Sequence, residues 1–151
     1  MTDKVLFLDI DGPMIPGRSW VIQPQTLWTK FDPIAVATVV ALLDKVGAKL
    51  VISSTWRVKG YERMVEALED NGIDGSYLHE DWQTIRWTET AFLDHRADEI
   101  REWLSRHPEI TKFAVIDDGD LPIENLIRVT FPDGLLMSHQ RELFRAFSVS
   151  M

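Results

Sequence analysis

The stretch Lys4-Val5-Leu6-Phe7-Leu8-Asp9-Ile10-Asp11-Gly12-Pro13 decides how the rest of the chain reads. A short, continuous apolar run, Val5 to Leu8, stops at a carboxylate, and a second carboxylate follows two residues later. A run of this length and character predicts a buried strand of a parallel sheet. Gly12-Pro13 punctuates its end. Acids at i and i+2 on extended chain share one face, where like charges repel unless a cation or a proton intervenes. Two readings follow: a hard divalent cation held at the C-terminal edge of a sheet, or an acidic turn that caps a helix.

Outward from this strand, Met14 to Lys30 shows little periodicity and reads as a loop or flap, with Trp20 and Trp28 embedded in it. Asp32-Pro33 is a helix start, an N-cap acid with proline at the first helical position. The apolar face of that helix runs from Ile34 to Val46, and Gly47 closes it. Ala48 to Ile52 predicts a second buried strand, which stops at Ser53-Ser54-Thr55-Trp56-Arg57. Tyr61 to Asp70 predicts a helix, closed by Asn71-Gly72, and Ile73 to Leu93 one short strand with a surface loop. Arg96 to Arg106 predicts an amphipathic helix with Ile100, Trp103 and Leu104 inward, ended by His107-Pro108. Lys112 to Ile116 is a further buried strand, ending in Asp117-Asp118, and Leu126 to Thr130 is a shorter one. Ser138 is the expected N-cap of a last helix, which turns Leu143 and Phe147 to the core.

Strands separated by helices imply a doubly wound α/β fold, a three-layer Rossmann-like core around a parallel sheet. The 151 residues suit one domain, 1–151, with room for a proper core. The chain has no cysteine, which excludes disulfides, thiolate metal sites and a Cys nucleophile. No apolar stretch approaches the roughly 18 residues of a membrane span. Met1 to Lys4 lacks the pattern of a secretory signal, so a cytoplasmic protein with no membrane partner is expected. Net charge is −8, from 24 acids against 16 bases, and no strong basic patch for long nucleic acid is expected.

Three strands end in polar groups: Asp9 and Asp11, then Ser53 and Ser54, then Asp117 and Asp118. A parallel sheet brings all C-terminal strand ends to one edge, where such folds place their sites. A carboxylate cluster without Cys or His suits Mg²⁺, and hydroxyl and cationic neighbours suit phosphate oxygens. Arg57 is a candidate for a second substrate phosphate, and Gly12 for a turn that brings backbone groups beside the acids. The histidines His79, His95, His107 and His139 lack metal-ligand spacing and read as surface or capping residues.

These residues resemble the four motifs of the haloacid dehalogenase (HAD) superfamily: Asp9-Ile10-Asp11-Gly12, a Ser after the second strand, a basic residue at a helix start, and Asp117-Asp118 after a later strand. The stretches Leu50 to Arg57 and Arg96 to Leu104 are similar to small HAD domains associated with nucleic-acid repair. The resemblance implies a phosphatase in which Asp9 attacks phosphorus and becomes an aspartyl phosphate, while Asp11 protonates the leaving group and later activates water. It implies Mg²⁺ held by Asp9, the Asp11 backbone carbonyl and Asp117, with Asp118 close by. Ser53, with Ser54 as the alternative, would bind the transferring phosphoryl group, and Arg96 would compensate its charge; Arg101 and Lys112 are rivals for that place. Pro13 departs from the family's usual Thr or Val. Neither intervening segment is long enough for an independent cap domain, so minimal or no cap is expected. The implied substrate is a nucleotide or a nucleic-acid terminal phosphate, with Trp20, Trp28, Trp56, Trp82 and Trp87 available to stack on a base. The alternatives are a non-catalytic HAD-like module that binds phosphate or a partner, and a HAD phosphotransferase.

Overall fold

The structure, a computed structural model, describes residues 2–22, 30–54, 56, 60–84 and 95–148. Its centre is β1 (Lys4–Leu8), flanked by β2 (Lys49–Ile52) and β4 (Lys112–Asp117). β3 (Leu78–Gln83) and β5 (Leu126–Arg128) complete a five-stranded sheet in the order β3-β2-β1-β4-β5, and every pairing is parallel. A central strand covered on both faces cannot alternate apolar with polar, which is why β1 is apolar without interruption. Leu6 and Leu8 enter one core, with Leu50, Ile52, Ala114 and Ile116. Val5 and Phe7 enter another on the opposite face, with Val51 and Val115.

The helices form the outer layers. α2 (Pro33–Val46) and α3 (Tyr61–Asp70) supply Leu42, Leu43, Met64 and Leu68 to the first core. α5 (Gln140–Ala146) adds Leu143 and Phe144 to it. α4 (His95–Arg106) covers the other face, where Ile100 and Trp103 are fully buried. Phe7 meets the Trp103 ring edge-on, with centroids 5.4 Å apart. Leu104 is only partly buried, at the margin of that core. The chain moves outward from β1 to β3, returns across the opposite face through α4, and continues outward through β4 and β5. This reversal opens a crevice between the C-terminal ends of β1 and β4, the usual ligand position in open α/β sheets.

The ends of α2 follow their local chemistry. Asp32 accepts a hydrogen bond from the Ala35 N–H at 3.0 Å, Pro33 occupies the first turn, and Gly47 closes the helix at φ 74°.

Several local expectations are corrected. The flap segment opens with a helix, α1 (Gly17–Ile22). Its first amides donate to a distant loop, Gly17 N–H to Phe131 O at 2.7 Å and Arg18 N–H to Pro132 O at 3.0 Å. Arg18 also pairs with Asp32 at 2.9 Å, so long-range anchoring overrides a composition that reads as loop. β4 runs one residue further, through Asp117, because Asp117 pairs with Arg128. Ser138 is not the N-cap of α5; it lies within a 3₁₀ turn, Met137–His139, whose preceding Leu136 N–H donates to His139 Nδ1 at 2.9 Å. Among the described residues no helix is long and apolar enough to cross a membrane.

Candidate active site

Asp9 is the first residue beyond β1 and still follows the sheet, with its N–H donating to Ile116 O at 3.1 Å. The next strand therefore holds its backbone, and its side chain points into a place with almost no solvent, 4% exposed. Asp9 Oδ1 accepts from the Ile10 N–H at 3.1 Å. Asp117, the last residue of β4, is fully buried, and its Oδ1 accepts from the Gly119 N–H at 2.8 Å. Asp118 follows at the strand end. Carboxylate oxygens of Asp9, Asp117 and Asp118 all lie within 4.8 Å of one another, and among the described residues no other three carboxylates or imidazoles converge so closely.

α4 brings a cation to this cluster. Arg96, in its first turn, donates from Nη1 to Asp117 Oδ2 at 2.8 Å and lies 3.5 Å from Asp9 Oδ2. The rival bases are elsewhere. Arg101 pairs with Asp98 and donates to the Pro122 carbonyl, and Lys112 Nζ reaches the Phe147 carbonyl. One guanidinium does not offset three acids in a buried place. Burial raises the Asp9 carboxyl, Asp117 raises it further, and Arg96 pulls it down only in part, leaving it at about 8. Asp118 is also pushed above the usual carboxylate range, by burial first and then by Asp117.

Gly12 packs directly on this group. It sits at φ 100°, and a Cβ there would lie 2.6 Å from Asp118 Oδ2. Only glycine lets the loop close so near the carboxylate in that conformation.

Asp11 is exposed, and its side chain lies outside the three-carboxylate group. Asp11 Oδ2 instead accepts from the Trp56 indole Nε1–H at 3.2 Å. Ser53 continues β2, its N–H donating to Leu8 O at 3.2 Å, and both Ser53 and Ser54 are buried. Ser54 Oγ accepts from the Trp56 N–H at 3.2 Å, so that hydroxyl shapes the turn after the strand. Arg57 lies outside the described residues, as do Trp28 and Trp87. Trp56 and Trp82 are 7% and 8% exposed and belong to the core, which removes them as base-stacking platforms; Trp20, at 52%, is open. His79, His107 and Asp81 form a separate polar cluster with Trp103, apart from the three carboxylates. The contact that sequence reasoning missed is Trp56 to Asp11. The available signal is an indole donor two residues after the serine pair, in Ser53-Ser54-Thr55-Trp56.

A doubly wound parallel sheet with an Asp-x-Asp loop after β1 and an Asp pair after β4 defines a HAD-type core. The sequence model of the family described as "HAD domain in Swiss Army Knife RNA repair proteins" matches residues 5–139, and the chain belongs to that family. HAD domains are in general phosphohydrolases. No curated protein matches the chain, and neither does any solved structure.

Proposed function

We propose that this protein is a Mg²⁺-dependent phosphomonoester hydrolase that works through an aspartyl phosphate. The observation that carries the reading is the convergence of Asp9, Asp117 and Asp118 with Arg96 at the C-terminal ends of β1 and β4. The donor set is all oxygen, buried and under-compensated, which fits a hard divalent cation. Asp9, Asp117 and the Asp11 backbone carbonyl would hold Mg²⁺, with Asp118 adjacent. Bound there, the ion would offset the charge of the carboxylates and of the phosphoryl oxygens.

The chain's own residues then divide the work. An Asp9 carboxylate oxygen forms a bond to phosphorus as the ester P–O bond breaks. The electron pair of that bond stays on the leaving oxygen, which takes a proton from Asp11. In the second half Asp11 accepts a proton from water, the water oxygen bonds to phosphorus, and the P–O bond to Asp9 breaks. The Ser53 hydroxyl, with Ser54 as the alternative, binds the phosphoryl group, and Arg96 offsets charge at the same place. Arg57 and the Gly12 loop complete the substrate contacts in this reading.

The family's description, which names RNA repair proteins, favours a terminal phosphate on RNA as substrate, with a nucleotide as the alternative. The test is phosphate release from an aryl phosphate with and without Mg²⁺, by the wild type and Asp9→Asn. Turnover that requires Mg²⁺ and disappears in Asp9→Asn is expected. Metal-independent turnover, or an unaffected variant, overturns the mechanism. A panel of 3′- and 5′-phosphorylated oligoribonucleotides against mononucleotides then ranks the substrates.

A further inference from the structure

The Trp56–Asp11 contact goes beyond the roles assigned above. Asp11 stands on an exposed loop, where a short carboxylate samples several rotamers. A general acid acts only when its proton lies within hydrogen-bond reach of the leaving oxygen. Among the described residues, the hydrogen bond that reaches the Asp11 side chain comes from Trp56 Nε1–H, at 3.2 Å. Trp56 is itself firmly held. It is 7% exposed, its backbone N–H is bonded to Ser54 Oγ, and its ring meets Phe31 edge-on at 5.9 Å. The tether thus runs from the end of β2, through a packed indole, to the acid on the β1 loop.

The donor's chemistry matters as much as its position. An indole N–H donates, never accepts, and does not ionise in the working range. It therefore stays a donor to Oδ2 and restricts rotation of the carboxyl.

We propose that Trp56 is a positioning residue for Asp11: its indole N–H, bonded to Oδ2, fixes the rotamer in which the carboxyl is presented. This rests on the reading of Asp11 as the general acid. It has a signature that simple structural support lacks. Protonation matters greatly for an alkoxide leaving group and little for a stabilised phenolate. Loss of the indole N–H should therefore penalise poor leaving groups selectively.

The experiment compares kcat/KM for an alkyl phosphate and for 4-nitrophenyl phosphate, both with saturating Mg²⁺. The variants are Trp56→Phe, and Trp56 replaced by 3-benzothienylalanine, which keeps the ring shape and exchanges N–H for sulfur. The expected loss is about 10- to 100-fold on the alkyl ester, the usual weight of a hydrogen bond to a charged group, and less than about threefold on the aryl ester. Phe31→Leu, which loosens the same packing while leaving the indole N–H, should preserve the wild-type ratio. Equal losses on both esters, or no loss in the benzothienylalanine protein, overturn the inference. If the wild type turns over in an Asp9-dependent way while that happens, the hydrolase reading stands and only the positioning role falls. Absence of wild-type turnover overturns both.

Discussion

Gly12 carries two constraints at once, a φ of 100° and the Asp118 carboxylate filling the place a Cβ would take. Gly12→Ala should cost roughly 1–3 kcal/mol, the usual range for backbone strain at such a site. It should also weaken divalent-metal binding, since Asp118 must move. Chemical denaturation and metal titration by calorimetry check the two effects separately. Its neighbour Pro13 is buried and serves through its carbonyl, which accepts from the Leu135 N–H at 2.9 Å. A residue with no amide hydrogen leaves no donor unsatisfied there. Arg96 is the third sensitive residue, because Asp117 is fully buried beside it. Arg96→Ala should destabilise the metal-free protein by about 3 kcal/mol, by leaving a buried charge unpaired. Mg²⁺ should recover part of that loss in a thermal melt, since it would answer the same charge.

The N-terminus of α2 ties two elements together. Asp32 Oδ2 caps α2 through the Ala35 N–H and also receives the Arg18 guanidinium of α1. Asp32→Ala should cost about 1–2 kcal/mol for the cap. It should also release α1, and hydrogen exchange should show faster amide exchange across Gly17–Ile22 than elsewhere in the sheet layers. Asp32→Asn keeps a cap acceptor but lacks the charge facing Arg18, so it should spare α2 and still loosen α1. The contrast between the two variants separates capping from the ion pair.

For the whole molecule, the acid cluster couples stability to pH, and the Mg²⁺ proposed above should modulate that coupling. Burial and the neighbouring acids let folded Asp9 hold its proton up to about 8, whereas an ordinary aspartate releases it near 3.8. Between those values the folded chain binds a proton that the unfolded chain has released. This contribution to stability is fully present below 3.8 and is lost as pH rises through about 8. Asp118, also raised, acts in the same direction. His79, lowered by burial and by His107, acts oppositely near neutral pH, so the comparison is best made against Asp9→Asn. Without divalent cation the wild type should lose stability relative to Asp9→Asn between pH 5 and pH 8. Added Mg²⁺ should stabilise the wild type more at pH 8 than at pH 5, and its binding should release protons near neutral pH. Differential scanning calorimetry in matched buffers checks the first two, and an unbuffered pH-stat titration the third.

Much of the fold is legible because its signals are local. The unbroken apolar runs at Val5–Leu8, Leu50–Ile52 and Ala114–Ile116 read as strands covered on both faces, and Asp32-Pro33 and Gly47 mark both ends of α2 within a few residues of chain. The same logic sends Asp9, Ser53 and Asp117 to one edge, since parallel strands share their C-terminal side. Three things escape it because they depend on residues far apart in the chain. α1 forms where the composition reads as loop, held by Phe131, Pro132 and Asp32. The two acids of the opening motif part company: Asp9 joins Asp117 and Asp118, while Asp11 turns to an indole 45 residues away. Arg96 stands apart from Arg101 and Lys112 because α4 crosses the sheet at the β1–β4 crevice. Residue type and spacing set which groups can reach the edge of a sheet. Burial and pairing between distant segments set which of them meet there and what charge they carry.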